Sequence, residues 1–273
     1  MSQSVQQSST QSRVLVLLYS ISAYLAFLAV FMFFIGWSVG IILPWTIDGP
    51  ALWFQTPTPF AAVAVNTGLI VLFGLQHSIM ARQSFKSMLT RVVPQAAERA
   101  TFVWISNLML AMIIVCWQPL PGAIWHAEGM LYAIVLAVNL AGWLILVSST
   151  FMVDHFDFIG LRQAWNNLRR RTPEPPAFVT AFAYRFVRHP MMTGLIIGLW
   201  VVPIMSWGHL VLSVALSAYI LVGTRFEEQD LIKTFGEQYR QYRARVPMLF
   251  PRPGSSVSAT SKQTGITGTQ TQR

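Results

Sequence analysis

A chain of 273 residues with 54% hydrophobic and only 11% charged side chains has too little polar surface for a water-soluble domain, and its mean hydropathy of +0.51 agrees. The net charge of +9 could suggest a nucleic-acid partner. The placement of that charge argues against a nucleic-acid surface, because the basic residues gather in connectors between apolar runs.

In chain order, residues 1–12 are rich in Ser, Thr and Gln and read as a disordered tail. Apolar runs follow at 14–43, 60–80, 101–119, 130–153, 191–207 and 209–224. A helix needs ~20 mostly apolar residues to cross a bilayer, so the runs predict an all-α, polytopic membrane helix bundle of about six spans, the last two short. The first run is too long and aromatic for a signal-peptide core. With the N-terminus inside, all 19 Lys and Arg fall on the cytoplasmic side, and the opposite loops carry only Asp48 and Glu128. That places both termini and the polar connectors at the cytoplasmic face, with contact to anionic lipid heads as a further consequence. Residues 13–252 read as one integral-membrane domain, and 253–273 as a second disordered tail.

Several features have an ordinary reading. Cys116 is a lone small hydrophobe in the third span, and a single cysteine excludes an intrachain disulfide or a cysteine metal site. Asn66, Asn107 and Asn139 sit mid-span, where hydrogen bonds between helices are their usual use. Trp37, Trp45, Trp53, Trp117 and Trp125 gather toward the outer interface as an aromatic belt. His77, His155 and His189 lack the i, i+4 pairing that would support a metal site, so none is expected.

Three polar constellations remain. Gln76-His77-Ser78 closes the second span, and Asp154-His155-Phe156-Asp157, followed by Gly160-Leu161-Arg162-Gln163, closes the fourth. Either could be a plain helix-end cap. Yet two carboxylates beside a His also raise its basicity and fix its tautomer. The third constellation is Arg188-His189-Pro190, matched across a charge-free hairpin (Met191 to Thr224) by Glu227-Glu228. Pro190 suits the first turn of a helix, and that N-terminus beside Arg188 and His189 offers a place for a carboxylate. The Glu pair can take an ammonium or two ribose hydroxyls. An ordinary snorkelling Arg188 paired with a Glu would also fit. The topology puts all three at one membrane face, which predicts one shared pocket. Beyond Thr224, Glu227, Leu231, Phe235, Tyr239 and Tyr242 set out a C-terminal interfacial helix ended by Pro247.

The C-terminal part resembles the membrane methyltransferases related to isoprenylcysteine carboxyl methyltransferase, which carry R-H-P-x-Y-x-G, a hairpin, E-E and F-G-x-x-Y-x-x-Y before V-P. The counterparts are Arg188-His189-Pro190-Met191-Met192-Thr193-Gly194, Glu227-Glu228, Phe235-Gly236, Tyr239, Tyr242 and Val246-Pro247. The segments from Gln76 to Arg82 and from His155 to Gln163 are similar to the NnrU-like branch and its bacterial thiol methyltransferases. One position departs: Met192 replaces the motif's Tyr. The resemblance implies S-adenosylmethionine as cofactor and Tyr184, Arg188, His189, Pro190, Met192, Gly194, Glu227 and Glu228 as its site. It implies methyl transfer to a small thiol, methanethiol giving dimethyl sulfide, at a bacterial inner membrane. For the thiol, His155 supported by Asp154 or Asp157 is the first candidate base, His77 the second, and Arg162 a thiolate stabiliser. Another methyl acceptor, such as a prenylcysteine carboxylate, and a non-enzymatic NnrU-like or nurim-like role stay open.

Overall fold

The computed structural model describes residues 9–120, 122–172 and 178–253. Ser9 caps the first helix by accepting from the Ser12 amide at 3.2 Å, so α1 (Thr10–Val39) begins inside the expected tail. Thr58 caps α2 (Pro59–Ala81) in the same way, with proline in its first turn. The basic connector folds as α3 (Gln83–Leu89) and a short 3-10 turn that leads into α4 (Glu98–Cys116). A two-stranded antiparallel pair joins β1 (Ala123–His126) to β2 (Ile204–Ser206). Between the strands in sequence come α5 (Gly129–Val153), α6 (His155–Ile159), α7 (Leu161–Arg169) and α8 (Pro190–Trp200). The chain ends in α9 (Trp207–Phe235) and α10 (Glu237–Arg245).

The bundle is helical and multi-pass, with five helices long and apolar enough to cross a membrane among the described residues: α1, α2, α4 with its preceding turn, α5 and α9. The fifth expected span differs. α8 has only 11 residues, which at 1.5 Å per residue covers about 16 Å, roughly half of a hydrocarbon core. Its apolar run is long enough, but Pro203 and the extended β2 strand consume the remainder. The sixth span is longer than expected. Nothing breaks the helix at Thr224, so α9 continues to Phe235 and carries both Glu227 and Glu228. The terminal helix expected to continue through Tyr242 is instead interrupted at Gly236, whose φ of 57° and ψ of −129° suit only glycine.

Two units are distinguishable, with boundaries inside α5 and α9. In the first, α1 packs on α4 and α7, and α2 packs on α4. Ala23, Met80, Ala100, Phe102, Val103 and Ile159 form a buried cluster there. Buried asparagines join its elements: Asn66 exchanges two 2.8 Å bonds with the Gln118 backbone, and Asn107 donates to the Ala23 carbonyl at 3.2 Å. Buried His209 meets the Ser38 carbonyl through Nδ1 at 3.0 Å.

The second unit holds most of α5, α8, the inner half of α9 and α10. Here α5 and α8 approach until backbones touch. A Cβ on Gly194 would lie 2.5 Å from the Gly142 carbonyl oxygen, and one on Gly198 would lie 2.6 Å from the Trp143 ring. Asn139 donates to the Gly198 carbonyl at 2.7 Å and receives the Trp143 indole N–H at 3.1 Å. Such small-residue contacts are how helices adhere where no hydrophobic driving force separates them from lipid.

Candidate functional site

Polar side chains concentrate at one place in each unit. In the second, Pro190 starts α8 and His189 precedes it as the cap, which turns Arg188 and His189 toward the end of α9. Arg188 Nε donates to Glu228 Oε1 at 2.6 Å, and His189 Nε2 lies 3.2 Å from the same oxygen. The other oxygen of Glu228 receives Arg243 Nε at 3.2 Å. Glu228 is therefore buried and saturated by three basic groups. Glu227, one residue earlier, has a side chain 52% exposed, and among the described residues its one ion-pair partner is His189 Nδ1 at 3.7 Å.

The Arg188-His189 turn also fastens the C-terminal segment. Arg188 N–H donates to the Pro247 carbonyl at 2.9 Å and His189 N–H to that of Met248 at 3.1 Å. Arg188 Nη1 donates to the carbonyls of Arg243 and Val246, and Thr193 Oγ1 to that of Leu249. These donors are thus used within the protein.

Beside this knot lies an open cavity of about 190 Å³. Tyr184, Arg188, His189, Met192 and Glu227, all expected at the cofactor site, line it together with Met191. Phe178, Phe235, Tyr239 and Tyr242 form an aromatic wall, with the Phe178 ring 5.2 Å from Phe235 and 5.4 Å from Tyr242. Tyr242 donates to the Tyr184 carbonyl at 2.6 Å, which closes one end. Burial, reinforced by Glu227, pushes the Tyr184 phenol up to about 12, so it remains an O–H donor at neutral pH. Three expected residues are not in the lining. Glu228 lies behind the wall, Pro190 starts the helix, and Gly194 is spent on the contact with α5.

The first unit brings the other two constellations together. His77 packs on Phe102 with centroids 4.7 Å apart, and its Nδ1 lies 3.3 Å from Ser106 Oγ. The Arg99 guanidinium covers the same Phe102 ring at 4.7 Å and the Phe158 ring at 5.0 Å. Its Nε donates to the Phe158 carbonyl at 2.7 Å, which ties α6 to α4. His155 is buried, with Nε2 3.2 Å from Tyr24 Oη of α1. Gly160 makes this fit possible: its φ is 96°, and a Cβ there would strike the Ala100 amide at 2.9 Å. Asp157 and Arg162 are on exposed faces of α6 and α7. Among the described residues no group of three or more His, Cys, Asp or Glu is placed to hold a metal.

Arg99, Tyr24 and Arg243 were missed by sequence reasoning. Arg99 looked like one more basic residue of a connector. Tyr24 lies in an unbroken apolar run, so no local pattern marks it. Only Arg243 had a usable sign, since it follows Tyr239 by four residues on the helix expected to face the site.

The NnrU protein family matches residues 66–255. The chain is 43% identical to Methanethiol S-methyltransferase 1 of Bradyrhizobium diazoefficiens, over 86% of this chain and 81% of that protein. It is 38% identical to Methanethiol S-methyltransferase of Mycobacterium tuberculosis, over 88% of this chain and 98% of that protein. Nurim of Sus scrofa is 28% identical over 65% of this chain and 71% of its own length. No solved structure matches.

Proposed function

The chain belongs to the NnrU protein family, and from that premise we propose that it is an S-adenosylmethionine-dependent methyltransferase acting on a small thiol, with methanethiol giving dimethyl sulfide. The acceptor follows the names of relatives that span most of this chain. The cavity supports the cofactor, and the observation that carries this reading is Glu227: a half-exposed carboxylate beside an aromatic wall.

The lining fits such a cofactor. Glu227 can accept from an ammonium or from paired ribose hydroxyls, and the Phe178, Phe235, Tyr239 and Tyr242 rings offer flat faces to a purine. His189 and Tyr184 supply further polar contacts. Met191 and Met192 give polarisable thioethers, the second of them where the family motif has a tyrosine. Glu228 and Arg188 hold these residues in place. When bound, the cofactor supplies a sulfonium methyl group with a good leaving group already attached. What remains for the protein is alignment, worth an effective molarity of ~10⁵ M or more, and conversion of the thiol to its more nucleophilic thiolate. We assign the proton to His155, held by Tyr24 and with Asp157 on its own helix, and second to His77. Arg162 is a further cation for the thiolate. The gathering of basic residues in the inner connectors supports an inner-membrane protein with its site at the cytoplasmic face.

Purified protein incubated with S-adenosylmethionine and methanethiol is expected to release dimethyl sulfide into the headspace. Cofactor binding without that product would refute the acceptor. Failure to bind the cofactor would refute the whole reading.

A further inference from the structure

The end of α7 carries three arginines that methyl transfer does not call on. Leu161, Ala164 and Leu168, spaced i, i+3 and i+7, form the inward face of this helix, with Ala164 fully buried and the leucines half-buried. Ala164 packs with Val16 of α1 and with Ala97, so α7 lies level with the first turns of α1. There Leu15 and Leu18 are more than half exposed, as lipid-facing residues are. Trp165 and Arg169, each one position past the inward face, are exposed, and the Arg169 guanidinium lies over the Trp165 ring at 4.7 Å. Arg170 and Arg171 follow, also exposed. Arg170 caps the helix with φ 55° and ψ 36°, and the Arg171 amide donates to the Asn166 carbonyl at 2.9 Å. Glycine is the usual residue at such a left-handed cap, so what Arg170 adds there is its charge. From Leu161 to Arg171 there is no Asp or Glu. Among the described residues, Arg169, Arg170 and Arg171 enter no ion pair.

We propose that Trp165, Arg169, Arg170 and Arg171 bind the headgroup phosphate of an anionic phospholipid at the membrane surface. The site is independent of the methyl-transfer reading. An exposed tryptophan at the edge of an apolar belt sits at the depth where indoles gather in membrane proteins. Stacking on that ring occupies one face of the Arg169 guanidinium and leaves its in-plane donors to a ligand. Such donors meet a phosphate through two parallel N–H···O bonds. Complementing the C-terminal dipole of α7 accounts for cations at this end, but not for an exposed indole stacked under the first of them. The occupant is a lipid because the patch borders the lipid-facing leucines of α1. It is an anionic lipid because three adjacent arginines call for net negative charge, which a phosphatidylcholine head cancels within itself.

The test uses the full chain, stripped of lipid in a neutral detergent and titrated with phosphatidylglycerol or phosphatidylcholine, with bound lipid counted by native mass spectrometry. Wild type should prefer phosphatidylglycerol, and the more so at low salt. One arginine near an anionic surface is worth about fivefold in affinity. A variant carrying Arg169→Gln, Arg170→Gln and Arg171→Gln should therefore bind phosphatidylglycerol ~10²-fold more weakly, with phosphatidylcholine binding unchanged. Arg170→Gly covers the case in which that variant fails to fold. Glycine suits the left-handed cap better than arginine does, so the thermal midpoint should hold or rise while affinity still falls about fivefold. A second variant, with Arg82→Gln, Arg91→Gln and Arg240→Gln, removes the same charge from exposed arginines elsewhere and should keep the preference. An equal loss in both triple variants would mean diffuse attraction to the basic connectors and would overturn the site. So would a wild type that does not distinguish the two lipids. Glycerol phosphate in solution that displaced phosphatidylglycerol with equal affinity would reassign the patch to a soluble phosphate ester and overturn the lipid.

Discussion

Glu228→Gln separates two carboxylates that sequence alone treats as equivalent. In the wild type, Glu228 meets Arg188 at 2.6 Å, His189 at 3.2 Å and Arg243 at 3.2 Å, with its side chain only 5% exposed. The substitution leaves Arg188, itself 9% exposed, without a counter-charge. Breaking a buried pair from one side costs about 3–5 kcal/mol, a large part of the 5–15 kcal/mol that holds a domain together. The loss should be local at first, because Arg188 is also the donor to the Arg243 and Val246 carbonyls. Hydrogen exchange should show residues 237–250 opening well below the global transition, and the thermal midpoint should fall by several degrees. Glu227→Gln should leave exchange and midpoint unchanged, because its carboxylate is half-exposed and nearly unpartnered, yet weaken S-adenosylhomocysteine binding about tenfold, as the loss of one charged hydrogen bond does. Equal behaviour of the two variants in both assays would refute the division of roles.

Gly194→Ala should be poorly tolerated: its methyl would overlap the Gly142 carbonyl, and overpacking of this kind costs about 1–3 kcal/mol or more, readable as a lowered midpoint. Asn139→Ala should cost about 0.6–1.7 kcal/mol, the range for polar contacts between membrane helices. Tyr242→Phe should lose about 1 kcal/mol with its bond to the Tyr184 carbonyl, with faster exchange across 182–185. The Tyr184 phenol lies at about 12 in the folded chain against an ordinary 10.0. The unfolded chain therefore releases that proton first, and stability should decline as pH rises between those values. A phenolate absorbance titration that placed every tyrosine near 10 would contradict this.

Much of the architecture was legible because apolar runs and caps are local. The six runs located the helices, and the mid-span asparagines were rightly read as joints between them. What escaped depends on long-range packing. Pro203 and the β pairing of two distant loops shorten α8, and neither can be weighed from hydropathy. The Glu pair was visible, but adjacent residues on a helix point about 100° apart, and only the position of Arg188 decides which is buried. Gly194 was read as part of a ligand motif, whereas the space it vacates is filled by α5. Arg99 stayed hidden because its meaning comes from Phe158, distant in sequence, rather than from its neighbours.

The carbonyls of Pro247, Met248 and Leu249 complete the turn at Arg188, His189 and Thr193. This has a consequence during biosynthesis. The turn enters the growing chain about sixty residues before its partners, which at ~5–20 residues per second leaves roughly 3–12 seconds in which it lacks them. A ribosome that stalls in that interval leaves a protein with nearly all its membrane helices inserted and no finished cavity. The last stretch before the tail thus acts as a seal on correct completion, and a nonsense change after α10 should abolish cofactor binding while leaving insertion intact.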